Sequence, residues 1–241
     1  AIGYYSLKGN GSGTYNTAIG SKSLMENEAG RHNVAIGASS MKSNITGTQN
    51  VSIGSLALES NIDGNYNVGI GAQALRNSTN GVGNVAVGPF AMLNNTLGLN
   101  NTAFGYNALK NNRNGSFNIG IGRNAGDKIQ TGSQNIIIGY NSDPSSNSSQ
   151  NQIVIGHQAK GYGNNSASFG NTSLNKVYFG GGNAKLYADG FGTSSDFRLK
   201  RNIKNLSHGL NFIMNLNPVS YLKMKMSDYL QGSEVKDEDM K

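Results

Sequence analysis

The sequence holds no cysteine and no tryptophan, and only three prolines among 241 residues. Without cysteine there is no disulfide framework and no thiolate metal site, and both an intracellular and an extracellular setting remain compatible. Charge is scarce as well: Asp, Glu, Lys and Arg make up 14% of the chain, so a net charge of +7 is spread thinly. Residues 1–180 carry 11 Lys and Arg against 6 Asp and Glu, with no run of either sign. Nucleic-acid binding calls for a focused basic stripe, and its absence removes nucleic acid from the expected partners. No stretch of 18 apolar residues occurs, so no helical membrane insertion is expected. The three histidines, His32, His157 and His208, fall in unrelated contexts and form no ligand set. No G-K-S/T follows a glycine cluster, and acidic residues do not recur at one face, which removes a phosphate loop and a glycosidase pair. No metal and no cofactor is expected.

What the chain does have is glycine, 34 residues of it, and a phrase close to G-x-x-N-(V/T)-A-I-G that keeps returning. Its last glycine falls at Gly3, Gly20, Gly37, Gly54, Gly71, Gly88, Gly105, Gly122, Gly139 and Gly156, always 17 residues apart. An uninterrupted period of this kind predicts a solenoid in which each repeat is one coil stacked on the last. Ala1 already lies within a coil, and no signal-peptide pattern precedes it, so the chain is expected to begin inside a longer solenoid.

Taking that glycine as position zero, a second glycine stands at minus seven (Gly13 through Gly132) and an asparagine at minus four (Asn16 through Asn135). Both suit sharp corners, glycine through positive φ and asparagine through side-chain capping. Between them lies a short strand with β-branched residues at minus three (Val34, Val51, Val68) and apolar ones at minus one (Ile36, Ile53, Ile70). Two residues apart, these share a face, which is expected to be the buried one, while the small residue between them (Ala35, Ser52, Gly69) permits close approach. Leu24, Met41, Leu58, Leu75, Met92 and Leu109 at plus four are expected to close the core from the opposite wall. Asparagines at plus seven (Asn27, Asn44, Asn61, Asn95, Asn112) should stack into ladders at the parallel-strand spacing. Ten coils at that rise make a rod of roughly 50 Å.

Variation is concentrated at minus five (Tyr15, His32, Gln49, Tyr66, Phe117) and plus one (Tyr4, Tyr106, Tyr140, His157). Exposed tyrosines suit stacking on sugars, but the pattern is too irregular to define a site. An ice-binding face would need threonine in register, and only Thr17 and Thr102 occupy minus three.

The phrases N-V-A-I-G-A-S-S-M, N-V-G-I-G-A-Q-A-L and N-T-A-F-G-Y-N-A-L resemble the head repeats of trimeric autotransporter adhesins and similar repeats in phage tail fibres. That resemblance covers about residues 1–170 and implies a left-handed parallel β-roll in which three chains lie side by side. The 17-residue coil departs from the family's usual shorter one, so the architecture carries over more firmly than any binding specificity.

After Gly156 the next glycine of this kind is Gly170, a step of 14, and residues 171–194 read as a glycine-rich neck. From Thr193 the composition changes. Ile203, Leu206, Leu210, Ile213 and Met214 have helical spacing, Pro218 ends that helix, and a strand follows, giving a small α+β segment over 195–241. Ser195-Asp196, Arg198-Leu199-Lys200, Asn202-Ile203 and Pro218-Val219-Ser220-Tyr221 resemble the intramolecular chaperone of phage endosialidases, tail spikes and tail fibres. The family's domain is longer, so the chain is expected to hold only its N-terminal part. The resemblance implies a domain that helps three chains wind together and then leaves by self-cleavage. Carried over by position, Ser195 is the nucleophile, Lys200 its general base, and the scissile bond follows Ser194. A bare S-x-x-x-x-K equally describes a turn serine and a solvated lysine. A lysine acts as base only when neutral, which burial and the charges of Arg198 and Arg201 would favour.

The expectation is therefore an all-β parallel β-solenoid of ten coils, a homotrimer by resemblance, with a truncated chaperone at its C-terminal end. The expected function is a fibre of a phage tail or tail-like injection machine, on the virion tail or an extracellular particle, that meets a bacterial cell-surface receptor, a glycan among the candidates. A bacterial trimeric surface adhesin is the alternative, and a glycan-degrading tail spike stands behind both. Any enzymatic activity is expected to be one self-cleavage per chain, with no external substrate.

Overall fold

The computed structural model describes residues 1–175; the rest of the neck and the whole of 195–241, with its expected helix, lie outside the described residues. Ten short strands follow one another: β1 (Thr17–Ile19), β2 (Val34–Ile36), β3 (Val51–Ile53), β4 (Val68–Ile70), β5 (Val85–Val87), β6 (Thr102–Phe104), β7 (Ile119–Ile121), β8 (Ile136–Ile138), β9 (Gln152–Ile155) and β10 (Ser166–Phe169). They form a single parallel sheet in sequence order. Register is fixed by the repeat, since Val34 faces Val51 and Val51 faces Val68 across neighbouring strands. The expected solenoid is present, and the 14-residue step does not end it: Ser166–Phe169 pairs in register with Gln152–Ile155. The earliest phrase, around Gly3, contributes only the isolated bridge Ile2–Ile19.

The corners rest on backbone that most residues avoid. Gly54 sits at φ 134, and a Cβ there would lie 2.5 Å from the carbonyl oxygen of Gly71 in the next coil, so both φ and contact demand glycine. Three further positions per coil are left-handed without being glycine as a rule: minus five (Tyr66, φ 59), plus two (Gln73, φ 59) and plus four (Leu75, φ 53). A β-branched side chain is strongly disfavoured at positive φ. None of the described non-glycine residues at positive φ is Val, Ile or Thr.

The strand faces are the reverse of the expectation. In every three-residue strand the middle residue is buried, and its β-branched or apolar neighbours face outward, half-buried or exposed. The reason is the width of the coil. Its interior receives the plus-four Leu or Met from the opposite wall, all fully buried, and that leaves room only for Ala, Ser or Gly on the strand. At Gly120 even a methyl group would stand 2.7 Å from Leu109 Cγ. The exchange works in the other direction too: where β8 puts Ile137 inside, the plus-four position opposite is Gly126. The interior is filled to a set volume, as close-packed cores are.

Two asparagine rows complete the interior. At plus seven, Asn44 Nδ2 donates to Asn27 Oδ1 and Asn61 Nδ2 to Asn44 Oδ1, each at 2.7 Å. At minus four, asparagine bridges coils rather than capping its own turn. Asn50 Nδ2 donates to the Gly64 carbonyl at 2.8 Å, and Asn50 Oδ1 accepts from the Asn67 backbone N–H at 2.8 Å. Buried polar groups are thus paired along the axis, which is what keeps a small apolar core affordable.

Candidate functional site

Ser194, Ser195 and Lys200, the expected self-cleavage site, lie outside the described residues. The described coils instead present two surfaces with chemistry of their own.

The first is the outward face of the sheet. Because the small strand residues point inward, the β-branched and apolar ones at minus three and minus one stack into two outward rows, from Val34 and Ile36 to Ile153 and Ile155. Each side chain is partly covered by its equivalents on the adjacent coils, yet Phe104 keeps 56% of its surface exposed. Together they form a strip of β-branched and apolar side chains along the sheet, interrupted at Thr102.

The second surface is at plus one. Here the coils divide. Ser21, Ala38, Ser55, Ala72 and Pro89 are small, whereas Tyr106, Arg123, Tyr140 and His157 on successive later coils are large and exposed. Backbone bonds hold these four in step: the N–H groups of Asn124, Asn141 and Gln158 donate to the carbonyls of Tyr106, Arg123 and Tyr140 at 2.9, 3.0 and 2.8 Å. Stacking follows from that register. The Arg123 guanidinium lies 5.6 Å from the Tyr106 ring centre and 5.9 Å from that of Tyr140. The Tyr140 and His157 rings are nearly parallel, 9° apart with centroids at 5.2 Å, and Phe90 meets Tyr106 edge-on at 5.7 Å. Beside the column, Asn107 Nδ2 donates to Asn124 Oδ1 and Asn124 Nδ2 to Asn141 Oδ1, at 3.1 and 2.8 Å.

Of the varied residues singled out in the sequence, the structure gathers Tyr106, Tyr140 and His157 into this column. It leaves Tyr4 at the other end of the solenoid, beside Tyr5. At minus five, Tyr15 and His32 stack with centroids 4.8 Å apart, while Gln49, Tyr66 and Phe117 join no such stack. Arg123 is not aromatic and so stands apart from the varied tyrosines in the sequence, but its phase, one residue after Gly122, places it among them.

Asp127 and Asp143, at plus five and plus four of adjacent 17-residue coils, come together. Lys160 Nζ binds Asp143 Oδ2 at 2.8 Å. Burial, followed by the charge and hydrogen bond of Asp143, pushes the Asp127 carboxyl up to about 6, against a weaker pull from Lys160 and Lys110. Among the described residues, no three His, Asp or Glu side chains are grouped so as to hold a metal ion.

Residues 195–236 match a peptidase family described as the chaperone of endosialidase. No curated protein and no solved structure matches the chain. A ten-stranded parallel solenoid that leads into such a segment fits a tail-spike-like protein with a C-terminal chaperone domain.

Proposed function

We propose that the chain is part of a homotrimeric fibre of a phage tail or tail-like injection machine that attaches to a bacterial surface, with the C-terminal segment guiding trimer assembly. The observation that carries this reading is the succession of an apolar-faced solenoid and a chaperone-of-endosialidase segment. Three chains would bury their outward Val and Ile rows against one another, each square ångström of apolar surface being worth roughly 25 cal/mol. Repetition creates a difficulty in doing so. A slip by one coil sets equivalent residues against equivalent residues, so the solenoid alone defines register weakly. A non-repeating domain at one end removes that ambiguity.

Self-cleavage at Ser194–Ser195 belongs to the same reading. Neutral Lys200 would take the proton of the Ser195 hydroxyl, whose oxygen attacks the Ser194 carbonyl carbon. The peptide nitrogen leaves protonated, and water then hydrolyses the ester.

Light scattering on the purified chain tests the assembly: a trimer of the 25.4 kDa chain is expected, and a stable monomer overturns the proposal. Phe104→Asp and Ile53→Asp, which put charge on the outward face, should dissociate the trimer without unfolding the coil. Denaturing gels of wild type beside Ser195→Ala test the chemistry. A band shortened at Ser194 in the wild type alone supports it, and identical uncleaved bands remove it.

A further inference from the structure

We propose that the exposed column Tyr106–Arg123–Tyr140–His157 is a binding strip for an acidic polysaccharide of the bacterial surface. The inference rests on the surface-attachment reading above and names the chemistry that the fibre would touch.

Arg123 is the central argument. It is exposed, is held between two tyrosine rings, and among the described residues pairs with no carboxylate, since the ion pairs there are Lys42–Glu26, Arg76–Glu59 and Lys160–Asp143. A guanidinium between two rings offers a planar fork of donors and no acceptor, which suits a carboxylate or phosphate. The ring faces are occupied by the stack, so the tyrosines present their edges and hydroxyls. The adjoining row of Asn107, Asn124 and Asn141 adds amides along the same line. A ligand rich in hydroxyls, with anionic groups spaced apart, satisfies both rows.

Sparse charge separates this ligand from the other polyanions. Arg123 is the one Lys or Arg of the column, standing between Tyr106 and Tyr140. Nucleic acid carries a phosphate on every unit and is met by continuous basic stripes. A protein partner of ordinary affinity covers about 800 Å² on each side. The column is one side chain wide and matches a single extended chain. Its restriction to four successive later coils matters as well, because the same backbone carries Ser, Ala or Pro at plus one in the five coils from Gly20 to Gly88. The coil does not need these side chains to form.

The test applies the full chain, in its native oligomer, to immobilised bacterial capsular polysaccharides, acidic ones bearing uronic or sialic acids beside neutral ones. Saturable binding to an acidic member is expected, weakened about tenfold or more by Arg123→Glu, the scale of one charge-assisted hydrogen bond. Tyr140→Ala should weaken it as well. Arg113→Glu makes the same charge change on an exposed residue off the column and should leave binding unchanged. The proposal is overturned if the wild type binds no acidic polysaccharide or if Arg113→Glu weakens binding equally. It is also overturned if Arg123→Glu dissociates the oligomer, which would make the column a subunit contact. Adherence to whole bacteria is scored in parallel. Adherence that Arg123→Glu leaves intact removes the strip alone, whereas no adherence and no polysaccharide binding by any form removes the attachment reading too.

Discussion

The coils up to β6 and those from β7 onward share one backbone and differ both inside and outside. In the earlier coils Leu or Met at plus four meets Ala, Ser or Gly on the strand, and buried asparagines run through the plus-seven position. In the later ones Gly126 stands opposite Ile137, and Ile129 takes the place of the next asparagine, leaving Asn112 Oδ1 without a partner. Outside, small plus-one residues give way to the Tyr–Arg–Tyr–His column. The difference teaches that the coil fixes an interior volume and a hydrogen-bonding path, and that either can be met by more than one set of side chains.

Exchanging interior volumes should break that comparison most strongly. Ile137→Ala opens a cavity and should cost about 3 kcal/mol, while Gly126→Leu alone overpacks the same space at about 2 kcal/mol. The double variant restores the pairing of the earlier coils and should cost about 2 kcal/mol rather than the additive sum of about 5, a coupling of about 3 kcal/mol. Denaturant unfolding of the four proteins at one concentration measures this. Strictly additive losses would mean that the two sites do not share a volume.

These details show what was legible in advance. The period, the register and the plus-four anchors could be read because the glycine corner recurs without a gap and Leu or Met holds plus four from Leu7 to Leu109. The facing of the strands could not be read from V-A-I alone, since three residues with a small one in the middle fit either orientation. The deciding quantity was the room left by Leu58 or Leu109 from across the coil, which is a tertiary fact. A further signal was present and unused: the columns at minus five, plus two and plus four avoid β-branched residues, as left-handed backbone requires. Asp127 and Asp143 are brought together by the stacking of two full coils, and because they stand at neighbouring rather than equivalent positions, plus five and plus four, no single repeat column shows the pair.

A smaller effect is expected at the one interruption of the amide row in the earlier coils. Ser78 stands where asparagine recurs, and both its Oγ and Asn61 Oδ1 are buried without a partner. Ser78→Asn would let the new Nδ2 donate to Asn61 Oδ1, as Asn61 itself donates to Asn44 at 2.7 Å. A gain of about 1 kcal/mol is expected, seen as a raised thermal midpoint. No gain would mean that the row is already satisfied by water at this point.

The smallest effect concerns the later coils and acidity. The Asp127 carboxyl is raised in the folded chain to about 6 from its ordinary 3.8, chiefly by burial and then by Asp143, with Lys160 and Lys110 opposing. A folded-state value above the unfolded one means that the folded chain holds this proton more tightly. The stabilising contribution is therefore complete below the unfolded value and is lost as pH rises through the folded one. Wild type should lose stability between about pH 4 and pH 7 from this group, and Asp127→Asn, which cannot ionise, should flatten that slope and be the more stable form at neutral pH. Thermal midpoints of the two proteins across that range provide the measurement. Parallel slopes for wild type and Asp127→Asn would mean that the two carboxylates of the later coils do not share the proton.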